Sequence, residues 1–186
     1  MTIRAFIAID CPCEIQHSIQ KIQRHFMPHK DAWRWVLPEN IHLTLQFLGN
    51  ISTDSVQALS KAMAFAVEGQ EAFSLSIRGL GCFPHPYRPQ VLWMGIDDPS
   101  LILPAIHRRL TQALSPLGFH LDFKYFRPHL TLARTRKRID GTALQSILDM
   151  YQARRFGAIV VDQIHLYQSR LHHSGATHVI LSSVDL

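Results

Sequence analysis

Cysteine is scarce in this chain and unpaired in pattern. Its three copies, Cys11, Cys13 and Cys82, make neither an even disulfide set nor the Cys-x-x-Cys spacing of a structural zinc site. That argues against a disulfide-stapled secreted scaffold and suits a reducing cytoplasm. No apolar run reaches the length of a membrane span and no cleavage signal precedes the first apolar segment, so the chain reads as soluble, unprocessed and without a membrane partner. Gly/Ser linkers and charge blocks are missing, which leaves residues 1–186 without a marked boundary and favours one domain. The His-Glu-x-x-His pattern is also missing, so neither a metal nor another cofactor is expected.

Apolar side chains make up 47% of the 186 residues, enough for the core of an ordinary domain. The formal charge of +5 favours anionic partners, with RNA or a nucleotide the natural candidate. Nothing in the composition points to an oligomer, and a monomer is the default.

Strand and helix patterns alternate along the chain. Arg4 to Ile9 is a short β-rich run, and Asp10-Cys-Pro12 breaks it before a helical stretch from Glu14 to Phe26. Ile15, Ile19, Ile22 and Phe26 recur there at spacings that share one helical face. Trp33 to Val36 and Ile41 to Leu48 are predicted strands, the second closed by Gly49-Asn50. A helix capped by Ser52 or Thr53 follows, with Val56, Leu59 and Met63 buried. Phe73 to Leu80 and Gln90 to Ile96 read as paired strands around a Pro-rich loop, and Leu101 to Leu114 as a helix. Strands near Leu121 to Tyr125 and His129 to Ala133, a helix from Thr142 to Tyr151, and strands from Ala158 to Tyr167 and His178 to Val184 complete the series. The class is α+β with antiparallel pairing.

One tetrapeptide stands out. His-Leu-Thr-Leu occurs at His42 to Leu45 and again at His129 to Leu132. Shuffling this composition gives about 0.007 copies, so the duplication is a signal and suggests two related halves. On a strand, alternation sends His42 and Thr44 to one face and Leu43 and Leu45 to the other, and the second copy does the same. Two imidazoles facing one substrate suit paired acid and base chemistry near neutral pH. Threonine hydroxyls can hold an anionic oxygen between them. Either copy alone would read as the polar face of a half-exposed strand; the second copy reverses that judgement.

These residues resemble the two-histidine phosphoesterases, in particular the RNA 2′,3′-cyclic phosphodiesterases first described as 2′-5′ RNA ligases. The likeness runs through Arg4 to Asp10, Asn40 to Gly49, Gly81 to Pro84, Val91 to Gly95, Arg127 to Arg134 and Leu166 to Ser169. It implies a bilobed α+β fold, two pseudo-twofold lobes with helices outside and a central cleft between them. It also implies metal-independent hydrolysis of a terminal 2′,3′-cyclic phosphate to a 2′-phosphomonoester, reversible as 2′-5′ ligation.

Carried over by residue, the resemblance assigns His42 as general acid, His129 as general base, and Thr44, Thr131 and Arg134 to the phosphate. Phe47 matches an aromatic that stacks on a base. Arg134 has a plainer reading as the start of a solvated run with Arg136, Lys137 and Arg138, and Phe47 as packing. Tyr125, Phe126 and Arg127 are candidates for accommodating RNA, with core packing the plainer reading for the aromatics. His85 reads as a turn residue, and His172 and His173 as exposed loop. His178 departs from the family, which often has tyrosine in that stretch. The competing functions are a non-catalytic nucleotide or RNA binding module using the same cleft, and a phosphodiesterase for another cyclic phosphate.

Overall fold

A computed structural model of the chain describes residues 1–26, 31–119, 126–137, 139–172 and 175–186. The strand expected near Leu121 to Tyr125 therefore lies outside the described residues. The first strand, β1 (Thr2–Asp10), is apolar without alternation because both its faces are covered. Ile3, Ala5, Ile7 and Ile9 enter the main core, while Phe6 and Ala8 join Tyr167 in a small cluster on the opposite face.

Helix α1 (Cys13–His25) buries Ile15, Ile19 and Ile22, and Phe26 just beyond it packs edge-on against Trp33 and Trp35. Trp33 and Trp35 bound the short β2 (Trp33–Trp35), which is followed by β3 (His42–Ser52) and α2 (Val56–Val67). Strands β4 (Phe73–Phe83) and β5 (Val91–Asp97) pair antiparallel around the predicted Pro-rich loop, and α3 (Ile102–Leu114) follows. The chain ends with β6 (His129–Thr135), α4 (Gly141–Tyr151), β7 (Arg155–Val161), β8 (Gln163–His172) and β9 (Gly175–Asp185).

Among the described residues the strands follow the order β7-β4-β5-β6-β3-β1-β8-β9, with β2 added beside β6, and every pairing is antiparallel. The order is symmetric about its middle: β3 and β6 are central, and each leads outward through three further strands. The two lobes are thus four-strand halves, and each contributes one copy of the tetrapeptide to the seam. Helices α2 and α3 pack together on the half that ends in β9, and α1 and α4 cover the half that ends in β7.

Three sequence-based expectations change. First, Gly49 does not close its strand. It takes φ of 71° inside β3, where the register steps from Ala5↔Gly49 to Phe6↔Phe47 and Leu48 is the extra residue of a bulge. Second, Ala158 to Tyr167 is not one strand. The chain breaks at Asp162, and the two pieces join opposite ends of the sheet, β7 beside β4 and β8 beside β1. No Gly or Pro stands between the two strand patterns, so no turn signal reveals the crossing. Third, His172 closes β8 instead of lying in a loop.

Candidate active site

The two tetrapeptides meet directly. Leu43 on β3 and Leu130 on β6 are register partners, and Leu43, Leu45, Leu130 and Leu132 are all buried. Antiparallel pairing sets the residues flanking this contact opposite one another, His42 with Thr131 and Thr44 with His129. All four lie on the face away from the leucines and are half-buried. His42 and His129 are then diagonal neighbours, a relationship that separates Cα atoms by about 7–8 Å in a regular ladder.

His42 sits in an aromatic nest. Phe6 lies almost flat against it at 4.5 Å between centroids, Tyr167 is nearly parallel at 6.1 Å, and His178 stands perpendicular at 5.1 Å. Burial, reinforced by His178, brings its pKa down to about 4, against smaller upward pulls from the Asn40 backbone and Asp10. His42 is therefore neutral at pH 7. Asp10, its register partner on β1, accepts a hydrogen bond from the Tyr167 hydroxyl and lies 3.6 Å from His165 Nε2. Burial, with Asp10 adding to it, pushes the Tyr167 hydroxyl well above its ordinary value.

His129 is held differently. Phe83 meets its ring edge-on at 5.0 Å, Trp93 flanks it at 6.3 Å, and Nδ1 lies 2.6 Å from the Arg127 carbonyl oxygen. A carbonyl can only accept, so Nδ1 carries the proton and Nε2 keeps a lone pair in the neutral ring. Burial lowers its pKa, with the Arg127 carbonyl opposing and the Arg134 charge adding a further fall.

A cavity of about 640 Å3 opens beside the seam. His42, Thr44, Thr131, Arg134 and Phe47 line it, so five of the six predicted site residues share one space. His129 does not line it; its ring is tied to the site through the Leu43↔Leu130 contact. Phe47 is 60% exposed and leans towards Phe6 at 6.2 Å, a position that the bulge at Leu48 creates. A second cavity of about 430 Å3 lies on the other side of His42, with Asp10, Glu39 and Tyr167 in its wall.

The cavity also gathers residues that sequence reasoning did not place there. Arg134 pairs in register with Arg34 of β2, and Arg4, Arg34 and Arg136 all line the same space. Among the described residues none of the four has a carboxylate within 4.0 Å. Arg136 is thus part of the cleft and not merely a solvated run; Arg138 lies outside the described residues. Strand alternation could have paired Arg134 with Arg136, but Arg34 arrives only through the β2–β6 contact, which has no local signal. Phe126 stacks on His107 at 4.3 Å as packing, and Arg127 serves His129 through its carbonyl. His85 is exposed and lines neither cavity; Tyr125 and His173 are outside the described residues.

The sequence profile of the 2′-5′ RNA ligase superfamily matches residues 11–173. The chain belongs to this superfamily. Within the 2′-5′ RNA ligase superfamily it is similar to the curated RNA 2′,3′-cyclic phosphodiesterase of Methanothermobacter thermautotrophicus, 29% identical over 94% of both chains. It is 35% identical to the enzyme of that name from Escherichia coli, over 70% of this chain and 71% of the other. The crystal structure of E. coli LigT complexed with 3′-AMP superposes with a TM-score of 0.79 at 26% identity, covering 100% of this chain and 99% of that one. The superfamily fold is the bilobed arrangement described above.

Proposed function

We propose that this protein hydrolyses a 2′,3′-cyclic phosphate at the end of an RNA and leaves a 2′-phosphomonoester. The observation that carries the reading is the Leu43↔Leu130 contact, which turns two distant sequence copies into one paired His/Thr constellation. The related enzymes named RNA 2′,3′-cyclic phosphodiesterase support the activity, and LigT's complex with 3′-AMP supports a nucleotide phosphate as occupant of the cleft.

In this reading His129 is the general base. Its Nε2 takes a proton from water as the water oxygen bonds to phosphorus, and the P–O3′ bond breaks. His42, as general acid, protonates the departing 3′-oxygen from its own Nε2. Burial leaves His42 neutral at pH 7, and the negative charge of a bound phosphate favours the imidazolium that the acid role requires. Thr44 and Thr131 donate hydrogen bonds to the phosphoryl oxygens, and Arg134 neutralises their charge. Phe47 offers its exposed face to a base. The scheme needs neither a metal nor another cofactor. With an RNA 5′-hydroxyl in place of the water, the same attack joins a 2′,3′-cyclic phosphate end to that hydroxyl through a 2′-5′ linkage as the 3′-oxygen departs.

The protein acts in this proposal as a cytoplasmic monomer built as one domain; no described helix is long and apolar enough to cross a membrane. The test is phosphorus NMR of an oligonucleotide ending in a 2′,3′-cyclic phosphate, incubated with the protein and a chelator. Conversion to the 2′-phosphomonoester is expected. Binding without conversion would point instead to a nucleotide-binding module, and turnover confined to another cyclic phosphate would reassign the substrate.

A further inference from the structure

His178 stands at the point where the catalytic histidine, the aromatic nest and both cavities meet. It lies on β9 as the register partner of Ser169, which lines the larger cavity with it. Phe6, His42 and Tyr167 form one layer of nearly parallel rings, and His178 crosses all three, edge-on to Phe6 at 5.0 Å and to His42 at 5.1 Å. Its ring lines both cavities. Of its two nitrogens, Nδ1 is buried with no hydrogen-bond partner, whereas Nε2 is not enclosed in this way.

That asymmetry decides where the proton sits. Nδ1 is unpaired in either tautomer, but an orphaned buried N–H is rarer in folded proteins than an under-used acceptor, and a proton on Nδ1 would leave the ring no usable donor. A proton on Nε2 remains available to whatever enters the cleft. We infer that His178 is an anion-binding residue, neutral and protonated on Nε2, which donates that hydrogen to a phosphate oxygen in the cleft. This rests on the reading of the cleft as a phosphate site.

The tautomer is opposite to that of His129, whose Nδ1–H is committed to the Arg127 carbonyl. The difference separates two tasks. A ring with its Nδ1 proton engaged presents Nε2 as a base; a ring with a proton on Nε2 presents a donor. A neutral donor also suits its neighbourhood, because a fixed cation this near His42 would oppose the protonation that His42 needs. The titratable groups that share the smaller cavity's wall with His178 are Asp10, Cys11, Glu39, His42 and Tyr167, and the larger cavity adds Arg4, Arg34, Arg134 and Arg136.

Two measurements test the assignment. Nitrogen-15 NMR of the intact protein at pH 7.5 should show His178 as the Nε2–H tautomer and His129 as the Nδ1–H tautomer; a proton on Nδ1 of His178, or an imidazolium, would overturn it. Titration with inorganic phosphate should show His178→Phe, which keeps a ring without a donor, binding about tenfold more weakly than the unaltered protein, the worth of a hydrogen bond to a charged group. His178→Gln places an amide N–H near the Nε2 position and should bind within about threefold. Equal phosphate affinity in His178→Phe, or equal weakness in both variants, would overturn the proposal. Turnover is not among these readouts, so a cleft that binds phosphate as described but hydrolyses nothing counts against the proposed reaction alone.

Discussion

Phe6 and His42 lie 4.5 Å apart with their ring planes 23° from parallel. Phe6 comes from β1 and His42 from the neighbouring β3, so one strand supplies the catalytic candidate and the next supplies the apolar surface that dehydrates it. Burial is the largest cause of the drop in the His42 pKa to about 4. Phe6→Ala opens that face to water and should move the His42 titration upward, towards 6.5. Proton NMR of the imidazole Cε1–H signals across pH 3–8 reads this directly. An unmoved midpoint would mean that the stacked ring is not what dehydrates His42.

Stability should fall in mild acid. His42, His107, His129 and His178 all have lowered pKa values in the folded chain, chiefly through burial. Between those lowered values and the ordinary 6.5, the unfolded chain binds more protons than the folded one, so acidification favours unfolding. The contribution of these groups is full above pH 6.5 and declines as pH drops towards 4. Urea midpoints measured at pH 7.5, 6 and 5 should decrease in that order, and a flat or rising series would contradict the expectation.

Replacing either tetrapeptide histidine should remove turnover without unfolding the protein. His42→Ala and His129→Ala each lose about 10²–10⁴-fold in kcat if both act as proton-transfer groups. Neither ring is fully buried, and each carries its leucine anchors on the opposite strand face, so the circular dichroism spectrum should persist. Thr44→Val and Thr131→Val should lower kcat/KM through lost phosphoryl contacts. Turnover that survives both histidine changes would exclude paired acid–base catalysis.

Gly81 tests the support beneath His129. It is the register partner of Trp93, and a methyl group at Gly81 would overlap the Trp93 ring. Trp93 is in turn the partner of Thr131 and flanks His129. Gly81→Ala should displace the indole, cost about 1–3 kcal/mol in stability as overpacking does, and reduce activity although the residue touches no substrate. Comparing denaturation with turnover separates the two effects. Wild-type behaviour in both would show that the indole shifts without disturbing Thr131 or His129.

The arginines should reveal themselves through salt. Arg34, Arg134 and Arg136 line the cleft with no carboxylate within 4.0 Å among the described residues. If each contacts a phosphate of bound RNA, changing Arg34 or Arg136 to alanine should reduce the slope of log affinity against log salt by about 1 apiece, irrespective of base sequence. A change in base preference with the slope intact would place these residues on bases instead.

The duplicated His-x-Thr pattern and its leucine anchors were legible in the sequence because strand alternation and burial act locally. So was the face of α1, where Ile15, Ile19, Ile22 and Phe26 all proved buried. What escaped depends on register and crossing. Gly49 read as a turn, but the same positive φ serves a bulge when the neighbouring strand continues past it. Asp162-Gln163 is a short polar step with no Gly or Pro to mark a turn, although the chain changes lobes there. Arg34 and His178 reach the cleft through β2–β6 and β8–β9 pairing, contacts between segments with no shared pattern to announce them.

Helix α1 follows β1 in sequence, yet it packs on β7, where the missing side chain of Gly157 makes room for Ile15. Ser18 also donates a hydrogen bond to the Phe156 carbonyl across the same contact. Each half of the molecule therefore wears a helix spun from the strand of the other. No single scission of the chain can release one lobe intact, and a shear that parts the lobes must also peel α1 from its seat. The strands that carry the two tetrapeptides owe their contact to that knitting as well as to the seam between them.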